Sequence, residues 1–465
     1  MATHAHCSVR TCYLTLARLL KSGDNYLNRV YIEQVEKSVA QTMVLRYRKG
    51  NSHEFENNDN CMDLSVAEYQ IIEAPDWNGK DIMEDLGKTM FQRFLHWGPL
   101  AVICITLIIG ATTTYVHLQW WPLSTVASFL DLSLFLLFNY LTLINLSKSA
   151  FFGPGYVPCH WKPPRKEDEE RLQYCRVCDG FKIPRSHHCS KCGRCVCKMD
   201  HHCPWINNCV GHRNHALFVR FLASATLGCI HAAVILSFAL YRFLFRVWYY
   251  KYGDNNGPMI VLSLYSFIFV IFAFGLALGV IISVGFLLGL QIRGIARNRT
   301  GIEDYIVDKA NVRERDGVFI YPYDLGWRRN ISDVLLTWNG IPKGNGIWWP
   351  VIHPATQFTF SEEQLLQKKY KRDNAHEVEI MQNFSGGYCS SLKFGICIWF
   401  CQPWSDEPRQ PVRVGEHWMV TRVNKHWFYG TLLSVDETTG KESDKVILIR
   451  GWFPRICARK YVMEN

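Results

Sequence analysis

The chain has 465 residues, a formal net charge of +10, 48% hydrophobic and 20% charged residues, and eighteen cysteines. Its length allows two or three folded units, and its positive charge suits nucleic acid, a membrane surface or an anionic cofactor. Long apolar runs exclude nucleic acid in favour of the other two, and clustering of the cysteines excludes the evenly spread disulfide framework of a small secreted protein.

In chain order, residues 1–93 form a polar extension of mixed charge and no strong periodicity, to which no function is assigned. The stretch from Cys12 to Leu20 is too short for a signal peptide and is broken by Arg18, so the first true span is expected to act as the membrane signal. Four apolar spans follow, predicted near Pro99 to Leu118, Thr125 to Leu146, Phe221 to Phe245 and Met259 to Leu290. Each is long enough as a helix to cross a hydrocarbon core of about 30 Å. Trp120, Trp121 and Pro122 mark an interface and a short turn after the first. Asp131, in the second, is read as lying near a helix end or bonding a neighbouring helix. The loop between spans one and two carries no Lys or Arg, and that between three and four has Arg246 and Lys251, whereas Lys148 to Arg220 and the chain after Arg293 are rich in both. This bias predicts that the loop after span two and both termini face the cytosol. The sequons at Asn298 and Asn330 are then chance matches.

Eight of the eighteen cysteines fall between Cys175 and Cys209. The order is Cys175-x2-Cys178, His187-His188-Cys189-x2-Cys192-x2-Cys195, Asp200-His201-His202-Cys203 and Cys209. Cys-x2-Cys pairs with nearby His are spaced for metal in a reducing compartment, and four Cys/His ligands in a closed shell describe a structural zinc site. Two such sites need eight ligands, and the loop exceeds that number. A purely structural module has no need of a spare Cys beside a spare His. A free thiol is mostly protonated near neutral pH, and an adjacent imidazole can take its proton. Spacing alone leaves open which of His201 and His202 binds metal. Cys197 is read as a bystander, and Lys182, Arg185, Lys191, Arg194 and Lys198 as solvated loop charge that could also meet the phosphates of an anionic cofactor.

The run from Cys175 to Phe218 resembles the Asp-His-His-Cys (DHHC) protein acyltransferases. The likeness includes Lys182-Ile-Pro184-x-Ser186-x-His188, Pro204-Trp205-Ile206-x-Asn208-Cys209 and Gly211-x2-Asn214. With its flanks it extends over about Phe94 to Val462, and it is nearest to the member that adds an SH3-like domain after the last span. The resemblance implies one zinc site of Cys175, Cys178, His188 and Cys195, interleaved with a second of Cys189, Cys192, His202 and Cys209. It implies that Cys203 takes an acyl group from palmitoyl-CoA or a related acyl-CoA and passes it to cysteines of substrate proteins. His201 would act as base or ion-pair partner, with Asp200 fixing its tautomer. Adjacent residues of a strand point to opposite faces, so His202 can reach metal while His201 turns to the thiol. Thr300-Gly301-Ile302-Glu303 stands where the family has Thr-Thr-x-Glu, so a hydroxyl contact to Asp200 is expected to be lost at Gly301. Gly153-Pro154-Gly155 replaces Asp-Pro-Gly, and Asn330 matches a structural Asn expected to tie the chain to the spans.

The expected fold is therefore an α-helical polytopic membrane protein with four transmembrane helices, a cytosolic zinc-binding cysteine-rich domain and a C-terminal SH3-like β-barrel. Boundaries are placed at 1–93 (extension), 94–147 (spans one and two), 148–216 (cysteine-rich catalytic domain), 217–292 (spans three and four), 293–375 (cytosolic segment) and 376–465 (SH3-like). In the last, Gln382 and Cys457 replace two groove tyrosines while Trp427 and Pro454 remain. That pattern implies a docking module with altered specificity and a protein partner of its own. Cys389, Cys397 and Cys401 in its variable loop are plain thiols or sites of acylation. The SH3-bearing relative suggests the endoplasmic reticulum membrane, with the Golgi as the alternative. Two rivals stand: a membrane-anchored zinc adaptor in which Cys203 is dispensable, and a metal transporter, which the scarcity of ligands in the spans disfavours.

Overall fold

The computed structural model describes residues 71–73, 90–253, 260–313, 319–337, 340, 342–403, 405, 407–433 and 449–460. Apart from residues 71–73 and 90–93, the expected extension at 1–93 lies outside the described residues. Among the described residues, four helices are long and apolar enough to cross a membrane. These are α1 (Trp97–Trp120), α2 (Val126–Phe151), α3 (His215–Leu244) and α4 (Leu264–Ala296), and they make the chain a multi-pass membrane protein. Three of the four starts are capped: the Gly98 amide donates to His96 Nδ1, and the Thr125 and Ser263 side chains accept from the amides of Ser128 and Ser266. These caps satisfy donors that lipid would leave bare. Large apolar side chains face outward, Ile282 and Phe286 being 73% and 70% exposed, as lipid contact requires. Helices α3 and α4 overrun their predicted ends, starting at His215 and continuing to Ala296. Hydropathy marks the hydrocarbon layer, whereas these extra turns carry His215, Gln291 and Arg293 beyond it.

Helix α3 packs against both α2 and α4. Asp131 of α2 bonds the neighbouring helices on both sides, His117 Nε2 of α1 and His231 Nε2 of α3, each at 3.0 Å.

Three antiparallel hairpins form the loop between α2 and α3. They pair β1 (Tyr174–Cys175) with β2 (Gly180–Phe181), β3 (His187–Cys189) with β4 (Arg194–Val196), and β5 (His201–Cys203) with β6 (Asn208–Val210). Strands this short have little core of their own and lean on the chain after α4. There, α5 (Gly301–Val312) begins with a capping box in which the Thr300 side chain and Glu303 satisfy each other's backbone amides. Ile306 and Val307 of α5 pack with Cys197, Tyr321, Tyr323 and Trp349. Arg185, expected as solvated charge, is instead buried against Glu303, with side-chain exposures of 0% and 1%. Its Nε meets Oε1 at 2.7 Å and its Nη2 meets Oε2 at 2.8 Å. Lys198 is also buried, beside the Trp349 ring. Charge read along a sequence cannot reveal a partner more than a hundred residues away. Asn330 donates to the Ala296 carbonyl at 2.8 Å, tying this segment to the end of α4.

Near the other terminus, Ile71–Ile72 pair antiparallel with Val351–Ile352, and Glu73 meets Arg329 at 2.6 Å. The far end of the described chain is a five-stranded antiparallel sheet of β7 (His376–Ile380), β8 (His417–Asn424), β9 (Trp427–Leu432), β10 (Arg450–Pro454) and β11 (Ala458–Lys460), in the order β10-β9-β8-β7-β11. Its edge strands β10 and β11 are not paired with each other among the described residues, so the expected barrel is an open sheet here. Trp427 and Pro454 do not line a groove: both are buried, and Trp427 Nε1 donates to the Ile398 carbonyl at 3.2 Å. The segment Ile396–Phe400, inserted between β7 and β8, covers the tryptophan. Cys389, which begins the preceding 3-10 turn Cys389–Phe394, and Cys397 on this segment are exposed.

Removing one partner of a buried, hydrogen-bonded ion pair leaves an uncompensated charge. Glu303→Ala is expected to destabilise the fold by about 3–5 kcal/mol. The check is the thermal unfolding midpoint of detergent-purified protein, and an unchanged midpoint would contradict it.

Candidate active site and metal centres

Hairpin register sorts the cysteines and histidines. In the second hairpin His188 lies opposite Cys195, and in the third His202 lies opposite Cys209. Residues facing each other across a ladder share one face of the sheet. Consecutive residues of a strand take opposite faces, so His188 and Cys189 of β3 turn to different clusters. Cys175, Cys178, His188 and Cys195 converge in one cluster and Cys189, Cys192, His202 and Cys209 in the other, with all donor atoms of each lying within 4.8 Å of one another. From His188 Nδ1 the three sulfurs lie at 3.5, 3.5 and 3.9 Å. From His202 Nδ1 they lie at 3.7, 3.4 and 3.6 Å. A tetrahedral zinc with ordinary Zn–S and Zn–N bonds sets that edge at roughly 3.6 Å, so both donor sets fit an ion of that size. Cys197 belongs to neither cluster; its Sγ lies 2.6 Å from the Gly346 carbonyl.

On β5 the same alternation sends His202 to a cluster and leaves His201 and Cys203 together on the other face. The two side chains are near enough to interact, and His201 Nδ1 lies 2.7 Å from Asp200 Oδ2. Burial works to lower the His201 pKa, but the hydrogen bonds to Asp200 and Cys203 outweigh it and push it up to about 10. For Asp200 burial works upward, and the His201 hydrogen bond with the neighbouring histidine charges holds it well below the usual carboxylate range. Both shifts favour the charged forms, an imidazolium facing a carboxylate. Its ring is fixed from behind by Phe218, edge-on at 5.6 Å.

Cys203 is buried at one end of a cavity of about 290 Å³ enclosed by the four helices. Below it the walls are apolar, with Phe218, Leu222, Val284 and Leu287 near the thiol and Ile109, Phe135 and Cys229 further in.

Residues outside the predicted set also hold this site, among them Gln291, Gly98 and Trp97, together with Gly301 and Asn208 of the motifs noted above. Asp200 receives the Gly301 main-chain amide on Oδ1 at 2.9 Å and the Gln291 side-chain amide on Oδ2 at 2.9 Å. The third hairpin is tied to the end of α2 through Asn208, which donates to the Ala150 and Phe152 carbonyls. Gly98, at the start of α1, packs against the backbone just after Cys203: a Cβ there would stand 2.0 Å from the Pro204 carbonyl oxygen. Trp97 beside it meets Trp205 at 5.1 Å.

A buried thiol beside a histidine–carboxylate pair, above an apolar cavity between the spans and next to two closed Cys/His clusters, makes this the candidate active site of a membrane-embedded enzyme. The model of the DHHC palmitoyltransferase family matches residues 168–307. Palmitoyltransferase ZDHHC6 of Danio rerio is 40% identical over 390 residues, covering 80% of this chain and 93% of the relative. The Homo sapiens protein of that name is 40% identical over 385 residues, 79% of this chain and 92% of the relative. Probable protein S-acyltransferase 16 of Arabidopsis thaliana is 33% identical over 253 residues, 51% of this chain and 84% of the relative. The chain belongs to the DHHC palmitoyltransferase family.

Since β3 and the turn after it serve both clusters, the two are expected to fail together. Cys192→Ala should lower bound metal by more than one of the two ions per chain, whereas Cys203→Ser should keep both, as read by elemental analysis of purified protein. Loss of a single ion in Cys192→Ala would show the clusters to be independent.

Proposed function

We propose that this protein is a protein S-acyltransferase that carries a long-chain acyl group on Cys203 as a thioester and transfers it to cytosolic, membrane-proximal cysteines of substrate proteins. The observation that carries this reading is the position of Cys203, at the end of an apolar cavity between the membrane helices and on the same strand face as His201. The Cys203 thiolate, paired with the His201 imidazolium, attacks the thioester carbonyl of palmitoyl-CoA. The C–S bond to CoA breaks, and the departing CoA thiolate takes the His201 proton. A substrate thiol then gives its proton back to His201 and attacks the acyl group, and Cys203 leaves as thiolate. The high proton affinity of His201 favours the ion-pair role over that of a free base waiting to be charged. Asp200 stabilises the imidazolium and sets the ring so that Nε2 faces the sulfur.

One thioester replaces another, so the exchange is nearly balanced. Each methylene kept in the apolar cavity is worth about 0.8 kcal/mol, so the chain stays in the bilayer while the head group reacts. Zinc suits both clusters, held by Cys175, Cys178, His188 and Cys195 and by Cys189, Cys192, His202 and Cys209, and when bound it supplies structure to hairpins that lack a core. The bias of Lys and Arg toward the loop after α2 and the chain after α4 supports a cytosolic face for the site and both termini. Similarity to relatives named ZDHHC6 over most of the chain, with the SH3-bearing member as guide, supports residence in the endoplasmic reticulum. The domain division given by the sequence is retained, with residues 376–465 as an SH3-like unit. The strand order β10-β9-β8-β7-β11 and the 3-10 turn Arg455–Cys457 between β10 and β11 support that unit. With Trp427 covered, its partner meets another surface. Cys389 and Cys397, exposed beside Leu392, Ile396 and Phe400, are suited to acylation and membrane anchoring.

The test is incorporation of an alkyne-tagged palmitoyl-CoA by purified wild type and Cys203→Ser, each with zinc content measured. Hydroxylamine-labile label in wild type alone, at equal zinc, is the expected result. Equal labelling, or none in either protein, would remove Cys203 as nucleophile and favour an adaptor.

A further inference from the structure

The carboxylate of Asp200 is connected to the membrane helices by a path that the mechanism above does not use. Gln291, on the last turns of α4, places Nε2 2.9 Å from Asp200 Oδ2, the oxygen that also meets His201 Nδ1. Its Oε1 lies 2.7 Å from Nε2 of His215, the first residue of α3. His215 and Gln291 are buried, at 4% and 8% exposure. A glutamine amide has one donating and one accepting end. Donation to Asp200 therefore leaves Oε1 to accept, and His215 must carry its proton on Nε2. Were the His215 hydrogen bond absent, the amide would be free to turn its oxygen toward the carboxylate.

The two residues also lie one helical turn from the acyl cavity. Leu287, four residues before Gln291, and Phe218, three after His215, both line it, and Phe218 packs on the His201 ring. Residues at i and i+3 or i+4 share a helix face, so each helix offers one turn to the cavity and the next to Asp200.

We propose that Gln291, held in register by His215, is a positioning residue for the Asp200–His201 pair. It fixes the carboxylate to two of the four helices that enclose the acyl cavity. The inference rests on Cys203 being the acyl carrier. In this arrangement Oδ1 of Asp200 is held by the Gly301 amide from the cytosolic side and Oδ2 by Gln291 from the membrane side, so the carboxylate cannot rotate away from His201.

The experiment measures acyl-enzyme formation by the full chain in detergent, with palmitoyl-CoA varied to separate kcat from KM. Loss of a hydrogen bond to a charged group predicts that Gln291→Leu lowers kcat by about 10- to 100-fold with KM changed less than about threefold. Gln291→Glu keeps the shape but sets carboxylate against carboxylate, and is expected to lose at least as much at neutral pH. It carries the test if the leucine variant loses metal. His215→Phe is expected to lower kcat in the same way, and His215→Gln, which keeps a donor, to restore most of it. A wild-type kcat in both Gln291 variants, or a loss in KM alone, overturns the proposal, as does a His215→Gln no better than His215→Phe. Wild type and Cys203→Ser are run alongside. If wild type forms no labile adduct, the acyl-carrier reading fails. If it does and the Gln291 variants match it, only the positioning role fails.

Discussion

A guanidinium and a carboxylate buried completely against each other, Arg185 and Glu303, set the geometry on which this enzyme depends. Such a pair is costly to desolvate and persists only when the remaining hydrogen-bonding groups are also satisfied. Here they are. Arg185 directs its other donors to the Asn298 side chain and carbonyl and lies over the rings of Tyr323 and Trp349. Glu303 accepts from Tyr321 and from the Thr300 amide. Burial works to raise the Glu303 pKa, yet the charge of Arg185 holds it below the usual range. The last of those contacts closes the cap of α5, so the pair fixes the start of a helix, and the first amide of that helix, Gly301, holds Asp200. A contact between the cysteine-rich loop and a helix after the last span is thereby converted into the orientation of the carboxylate that meets His201.

What the sequence revealed and what it hid follow from the range of each interaction. Spans are legible because hydrocarbon contact is a property of each residue in turn. The helix ends were not, because His215 and Gln291 continue the helices outside the apolar layer. Metal-ligand spacing is legible because each hairpin brings its ligands together locally, although the choice between His201 and His202 needed either resemblance or the phase of a strand. The roles of Gln291 and His215 and the burial of Arg185 depend on partners between 76 and 118 residues away along the chain. Gly98 depends on a close approach of two backbones. No local pattern announces either kind of contact. The groove reading of Trp427 failed for a related reason. Its residue type fits an aromatic groove, but the inserted segment at Ile396–Phe400 folds back over it.

The membrane spans and the cysteine-rich loop are not separable modules. Helix α1 begins against the backbone that follows Cys203, α2 ends on Asn208, α3 starts from the third hairpin, and α4 delivers Gln291 to Asp200. The thiol therefore sits at the meeting point of all four spans. That location suits a reaction whose leaving group is water-soluble and whose transferred group is not.

The shared strand β3 has an evolutionary corollary. His188 and Cys189 serve different clusters because they occupy opposite phases of one strand. Adding or deleting a single residue between His188 and Cys195 would shift one ligand out of phase, sending it to the wrong face. Most surface loops drift in length more readily than in structure. By this phase argument the length between His188 and Cys195 is constrained more tightly than that of an ordinary surface loop, and Gly193, at φ +69, adds a constraint on its backbone.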